Sequence, residues 1–208
     1  MDLIAELDAA GRRWDVLRHP FYVSWSAGEL TRADLAFYAG EYRHAVLALA
    51  GASGSAAAMA TPERRAELAA HAAEESSHVA LWDAFAGALD ADLDREPLAN
   101  TRRCVETWTA GDDLLDHLAV LYSIESAQPA ISATKLRGLS EHYGMVDAGA
   151  ATAYFELHSE RDLEHARQAR EAIVELTPAG AEQRLLDRAE EALKGNWLLL
   201  DDVHAHTG

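Results

Sequence analysis

The chain has 208 residues, of which 49% are hydrophobic, and a formal net charge of −17 at pH 7. This length and composition suit one compact domain, which we expect to span residues 1–208. The negative charge would repel nucleic acids and anionic membranes, so we expect neither as a partner. The sequence contains no apolar run of about 20 residues, no signal-peptide pattern, and one cysteine, Cys104. We therefore expect a cytoplasmic protein.

Helical spacing of apolar residues runs through the whole chain, and the alternating runs that would predict strands do not occur. Capping signals such as Thr31 with Asp34 mark helix starts, and glycines such as Gly28 mark helix ends. In chain order, the predicted helices cover residues 2–17, 20–27, 31–50, 62–89, 97–109, 112–142, 148–176 and 178–204. The predicted fold class is therefore all-α, a single bundle of about seven to eight helices.

Two of these predicted helices contain residues that disturb a helix. Pro129 lacks a backbone N–H, so we expect it to kink the sixth helix. Gly51 and Gly54 either end the third helix or let it bend around something close by.

The segments HAAEESSH (71–78) and HSERDLEH (158–165) repeat one spacing, His-x3-acid-x2-His. Steps of three and four residues follow the core-facing line of a helix, and both trios lie on that line between apolar residues. We expect seven ionisable side chains to point inward: His71, Glu75, His78, Glu125, His158, Asp162 and His165. Glu74, although adjacent to Glu75, lies off this line.

Buried charges without partners cost several kcal/mol, whereas histidine and carboxylate together form the ligand set of iron, manganese or zinc. Residues i and i+7 are separated by about 10 Å of helix rise, so His158 and His165 do not easily hold one ion with Asp162 between them. Two ions about 3.5–4 Å apart fit the spacing better, and helical bundles commonly house such sites. The pattern thus predicts a dinuclear metal site; a buried histidine–carboxylate hydrogen-bond network is the alternative.

The third predicted helix contains another Glu-x-x-His pair, Glu41 and His44, in EYRHAV. This pair lies to one side of the apolar line of its helix. We expect it to hydrogen-bond to a metal ligand, line a pocket or lie at the surface rather than to bind metal itself.

Three segments resemble a known family. HPFYVSWSAGELTRADLAFYAGEYRHAV resembles the opening of the haem-oxygenase-like proteins, whose branches include TenA-like, PqqC-like and CADD-like proteins. YSIESAQPAISATKLRGLSEHYG and YFELHSERDLEHA resemble the CADD-like branch of dinuclear iron or iron–manganese oxygenases. The resemblance covers about residues 15–170 and implies a haem-oxygenase-like helical bundle. The ligands it implies are Glu75, His78, Glu125, His158, Asp162 and His165.

One position departs from the family pattern. CADD-like proteins commonly place a glutamate where this chain has His71, while Glu75 and His78 match the Glu-x-x-His pair of fatty-acid-decarboxylating relatives. We expect His71 to hydrogen-bond to a metal ligand; an additional ligand and a structural histidine are the alternatives.

The CADD-like branch is implicated in making p-aminobenzoate for folate from its own tyrosine, the ring source, and its own lysine, the nitrogen donor. The matching residues are Tyr22 and Lys135, and Tyr38 resembles a second pocket tyrosine. The resemblance implies an enzyme that activates O2 with two metal ions (Fe/Fe or Fe/Mn). Its reactants are O2, a reductant, and its own side chains or a small-molecule substrate, and its usual assembly is a homodimer.

Three other functions stay open. The first is a dinuclear-iron oxidase or decarboxylase that acts on an external small acid or amino acid. The second is a metal-free thiaminase-like hydrolase, which needs a pocket cysteine that the segment VLYSIES of the sixth helix does not provide. The third is a non-enzymatic metal-binding or interaction module.

Overall fold

A computed structural model describes residues 2–145 and 149–207. These residues form nine α-helices and one 3-10 turn, with no strand among them, which confirms the predicted all-α class. The helices are α1 (Leu3–Arg13), α2 (Pro20–Ala27), α3 (Arg32–Ala58), α4 (Arg65–Ala88), α5 (Ala99–Thr109), α6 (Leu114–Glu125), α7 (Gln128–Glu141), α8 (Ala153–Leu176) and α9 (Glu182–Ala205). The predicted start at residue 148 lies outside the described residues.

Helix α3 is longer than the sequence predicts. It begins with a capping box, in which the Thr31 hydroxyl accepts from Asp34 N and the Asp34 carboxylate accepts from Thr31 N. It then continues past Gly51 and Gly54 to Ala58. A helical glycine costs about 1 kcal/mol. The helix nevertheless persists because its last turns carry buried small side chains, Ala52, Ser53 and Ala56.

The predicted helix over residues 112–142 is two helices. α6 ends at Glu125, α7 begins at Gln128, and Pro129 lies in the first turn of α7. Because Pro129 has no N–H to donate to the carbonyl of Glu125, one helix can end and another begin here at little cost. The predicted kink is therefore a full interruption, and it raises the number of helices to nine.

Helix α6 lies at the centre of the bundle and is buried along its whole length. It packs against α3, α8 and α9, while α4 packs on α3, α7 on α8, and α9 on α5. This arrangement places α4, α6 and α8 around one region of the core. Among the helices of the described residues, none is both long enough and apolar enough to cross a membrane.

Candidate functional site

The seven ionisable side chains predicted to point inward all lie buried in the bundle. Helices α4 and α8 each supply three of them, and α6 supplies Glu125 from its last turn. Because positions i, i+4 and i+7 share one helix face, each trio points to the same side of its helix. The core-facing lines read from the sequence are therefore the lines that face the interior.

The side-chain donor atoms of six of these residues form two overlapping groups. In the first, donor atoms of His71, Glu75, Glu125 and His165 lie within 4.8 Å of one another. In the second, donor atoms of Glu75, His78 and His158 do so. Glu75 belongs to both groups. A carboxylate shared between two sets of ligands suits a dinuclear site.

Several of these atoms lie close together without hydrogen bonding. His71 Nε2 is 2.9 Å from Glu125 Oε1, and His78 Nδ1 is 3.0 Å from Glu75 Oε1, but none of the four makes a hydrogen bond. Across the described residues, seven buried atoms in these two groups have no hydrogen-bond partner: His71 Nε2, Glu75 Oε1, His78 Nδ1, both Glu125 carboxylate oxygens, His158 Nε2 and His165 Nδ1. Unpaired buried polar atoms are costly, and this nitrogen and oxygen donor set suits iron, manganese or zinc.

Two histidines each donate one ring N–H to a carboxylate, which orients the ring, while the other ring nitrogen has no hydrogen-bond partner. His158 Nδ1 donates to Asp162, 2.9 Å from each carboxylate oxygen. His165 Nε2 donates to Glu74 Oε2 over 2.9 Å. In each ring the other nitrogen then carries a lone pair and has no hydrogen-bond partner. Carboxylates hold metal-binding histidines in this way.

The sequence does not identify Glu74 as a functional residue, because it lies off the core-facing line of α4. Its role depends on α8 lying beside α4, which the local spacing does not reveal. Asp162, predicted as a metal ligand, hydrogen-bonds to His158, and its Oδ1 lies 3.9 Å from His165 Nδ1.

The two buried glutamates have opposite electrostatic environments. Burial raises the pKa of Glu125 well above its ordinary value, and the nearby carboxylates of Glu75 and Asp162 raise it further. Burial also acts to raise the pKa of Glu75, but the adjoining imidazoles of His78 and His158 outweigh it and lower this pKa. Without a cation, this cluster therefore favours an ionised Glu75 and a protonated Glu125.

The histidines of the first group favour their neutral form. Burial lowers the pKa of His71. Burial and the neighbouring His71 ring lower that of His165. The two ring centroids lie 3.9 Å apart, so two positive charges here would repel each other. A neutral imidazole is the form that binds metal.

The residues matched to the family's tyrosines and lysine lie together in a buried aromatic pocket. The hydroxyls of Tyr22 and Tyr38 are 3.4 Å apart. Lys135 Nζ is 5.0–5.8 Å from the centroids of five rings, those of Tyr22, Tyr38, Tyr42, Trp82 and Phe155. Burial lowers the pKa of Lys135 to about 7 and raises that of Tyr22. Lys135 therefore carries an amine that is readily deprotonated.

Aromatic side chains connect this pocket to the donor-atom groups. The Tyr154 ring lies 4.1 Å from the His158 ring and 4.9 Å from the Trp82 ring, centroid to centroid. Trp82 in turn lies 5.3 Å from Lys135 Nζ. Trp82 follows His78 by four residues and Tyr154 precedes His158 by four, so helical spacing places each beside a donor residue.

Glu41 and His44 do not belong to either group of donor atoms. The buried Glu41 carboxylate accepts from Arg95 Nε and Leu98 N, each over 2.7 Å. His44 Nε2 donates to the Arg95 carbonyl over 3.0 Å. Both residues thus bind the segment between α4 and α5.

Cys104 is buried on α5, and burial raises the pKa of its thiol.

Comparisons with known proteins identify relatives of this chain. A family of iron-containing redox enzymes, haem-oxygenase-like by name, matches residues 36–197. The 4-aminobenzoate synthase of Chlamydia muridarum is 31% identical over 97% of this chain and 89% of that protein. The 4-aminobenzoate synthase of Nitrosomonas europaea is also 31% identical, over 96% of this chain and 89% of that protein.

A solved structure from Shewanella denitrificans, described as a domain of unknown function with a heme oxygenase-like fold, gives a TM-score of 0.82. The match covers 99% of this chain and 93% of that one at 20% identity, and so establishes the shared fold. The chain belongs to the haem-oxygenase-like family of iron-containing redox enzymes and is an oxidoreductase.

Proposed function

We propose that this chain binds two metal ions, Fe/Fe or Fe/Mn, and uses O2 to make 4-aminobenzoate from its own Tyr22 and Lys135. One observation carries the proposal: Tyr22 and Lys135 share a buried pocket that adjoins the donor-atom groups. Relatives named 4-aminobenzoate synthase, at 31% identity over nearly the whole chain, support the reaction.

The two groups of donor atoms divide the ligands between the two ions. We assign His71, Glu125 and His165 to one ion and His78 and His158 to the other. Glu75 would bridge them, because it belongs to both groups. Asp162 stays a predicted ligand. The bound ions would supply O2 activation, the one part of the chemistry that no side chain can provide.

The grouping also favours one of the alternatives for His71. Its Nε2 is buried, unpaired and among the donor atoms of the first group. A histidine that only hydrogen-bonds to a ligand would have that bond satisfied. We therefore propose His71 as an additional ligand.

The product dictates what Tyr22 and Lys135 contribute. The ring and the Cβ of Tyr22 become the ring and carboxyl carbon of 4-aminobenzoate, so the Cα–Cβ bond breaks and Cβ is oxidised at the expense of O2. Lys135 Nζ replaces the phenolic oxygen, which leaves as water. The Cε–Nζ bond of Lys135 then breaks, and Cε is oxidised to an aldehyde at the expense of O2. Because burial lowers its pKa to about 7, Lys135 has a neutral form within reach near neutral pH, and that form has the lone pair that this exchange needs.

Tyr38 and the surrounding rings position these groups. The hydroxyl of Tyr38 is in contact with that of Tyr22. This contact orients the Tyr22 phenol and provides a hydrogen-bond partner for its hydroxyl. The rings around Lys135 exclude water, which would otherwise stabilise the ammonium form. O2 and a reductant complete the proposed reaction, and we expect the chain to act as a homodimer.

Variants at three positions test the proposal. After reconstitution with iron, alone and with manganese, wild-type protein should release 4-aminobenzoate and change in mass at residues 22 and 135. Tyr22→Phe should release none but keep its metal, because phenylalanine retains the ring packing without the phenolic oxygen. Lys135→Arg should also release none, since guanidinium is a poor nucleophile. Asp162→Ala should lose both product and metal.

Product yield and metal content together separate the outcomes. If Tyr22→Phe forms product normally while Asp162→Ala is inactive, Tyr22 is not the substrate. A dinuclear oxygenase acting on an external small acid or amino acid then becomes the better interpretation.

A further inference from the structure

Glu74 makes two polar contacts at the edge of the candidate metal centre. Its Oε2 accepts from His165 Nε2 over 2.9 Å, and its Oε1 accepts from Arg161 Nη2 over 2.5 Å. The side chain of Glu74 is 36% exposed, whereas that of His165 is 3% exposed. Glu74 therefore connects the surface of the bundle to a buried donor residue.

We propose that Glu74 is the positioning residue of His165 and determines which ring nitrogen faces the metal. A carboxylate only accepts hydrogen bonds, so the contact requires the proton of His165 to be on Nε2. Nδ1 then carries the lone pair, and it is the buried atom without a partner, 3.7 Å from Glu75 Oε1. The inference rests on the proposed metal centre.

The contact also joins two helices. Glu74 is on α4, whereas His165 and Arg161 are on α8, one helical turn apart. Arg161 donates to one carboxylate oxygen of Glu74, and this bond fixes the carboxylate so that its other oxygen faces His165. The partner of His158 lies within α8 itself, where His158 Nδ1 donates to the Asp162 carboxylate. Loss of Glu74 should therefore affect one of the two ions and leave the other in place.

The expected effect follows from the role of such carboxylates. Removing a carboxylate that orients a metal-binding histidine typically weakens metal affinity about 10–100-fold. Removing Arg161 should cost about five-fold at most, because pairs this exposed contribute little. Glutamine at position 74 keeps an acceptor for His165 without the charge, so its effect should be intermediate.

Cobalt titration of the metal-free protein tests the proposal, with Co2+ absorption reporting each binding event. Wild type should bind two Co2+ ions. Glu74→Ala should bind one of them 10–100-fold more weakly, with Glu74→Gln intermediate. Glu160→Gln is the matched control: it removes the same charge from an exposed α8 position next to Arg161 and should bind as wild type does.

Nitrogen-15 NMR of the metal-free protein supplies a second readout. His165 should carry its proton on Nε2 in wild type and populate both tautomers in Glu74→Ala. If Glu74→Ala binds both ions as tightly as wild type, or leaves the tautomer unchanged, this inference alone is overturned. Wild-type protein that binds no Co2+ would overturn the proposed metal centre and this inference with it.

Discussion

His71 Nε2 and Glu125 Oε1 lie 2.9 Å apart in the core, yet neither atom makes a hydrogen bond. Both are buried, so neither is satisfied by bulk water. A cation between such atoms removes the cost of leaving them unpaired and favours the ionised form of Glu125, whose pKa burial otherwise raises. The stability of the bundle should therefore depend on metal.

Metal binding should raise the melting temperature. An ion present at 100 times its dissociation constant stabilises the folded state by about 2.7 kcal/mol. In a chain of this size, that corresponds to about 5–10 °C per ion. Calorimetry with Fe2+ or Mn2+ under anaerobic conditions, compared with chelator, measures the shift. Identical melting curves in the two conditions would contradict the proposed centre.

Product formation should depend on the protonation of Lys135. Burial lowers the pKa of this amine from 10.5 to about 7. The yield of 4-aminobenzoate should rise as pH increases through about 7, because only the neutral amine has a lone pair to donate. A yield that stays flat from pH 6 to 8.5, with constant metal content, would show that the amine is not consumed in this way.

The same residue should make stability depend on pH. Between about pH 7 and 10.5, position 135 is protonated in the unfolded chain but neutral in the folded one, so stability falls as pH decreases through this window and levels off below it. Lys135→Met removes this loss. Below pH 7, the free energy of unfolding of Lys135→Met should exceed that of wild type by several kcal/mol. This difference should shrink as pH rises toward 10.5. Urea unfolding with chelator at pH 6.5 and 9.5 measures the difference.

Glu41 should prove structural. Its buried carboxylate accepts from Arg95 Nε and Leu98 N, which are partly buried, so Glu41→Ala leaves these two donors without their acceptor. We expect a loss of about 1–3 kcal/mol in urea unfolding, with unchanged metal content. Glu41→Gln, which keeps an acceptor for Leu98 N, should lose less. If Glu41→Ala folds fully but loses metal, Glu41 is instead one of the ligands.

The faces of α4 and α8 are predictable from sequence because a helix repeats its orientation about every 3.6 residues. Local spacing alone therefore identifies His71, Glu75 and His78 as one inward set. The contact between Glu74 and His165 is not predictable in this way. It depends on how closely α4 and α8 pack, and 91 residues separate the two positions.

The interruption between α6 and α7 shows a second limit. Proline predicts a disturbance, but whether a helix bends or ends is decided by what the following segment packs against. Here Trp25 Nε1 donates to the Lys135 carbonyl, which attaches α7 to α2. The direction of α7, and with it the burial of Lys135, follows from this tertiary contact rather than from propensity.

Gly138 should be essential to this attachment. A Cβ at this position would lie 2.4 Å from Trp25 Nε1 and 2.6 Å from Trp25 Cδ1. The indole is fully buried against Phe21 and Tyr38, so it has no space to move away. In Gly138→Ala, α7 must shift instead, which should cost about 1–3 kcal/mol. The shift would also move Lys135, three residues earlier, relative to the tyrosine rings.

Gly138→Ala should therefore lower both stability and 4-aminobenzoate yield while keeping its metal, since the proposed ligands lie on α4, α6 and α8. Gly54→Ala is the control, because a Cβ there meets nothing within 4 Å on an exposed turn of α3. It should be neutral or stabilising by up to about 1 kcal/mol. Urea unfolding, metal analysis and product yield for the two variants test the idea. If Gly138→Ala matched wild type in stability and yield, close packing of Trp25 on α7 would not be what positions Lys135.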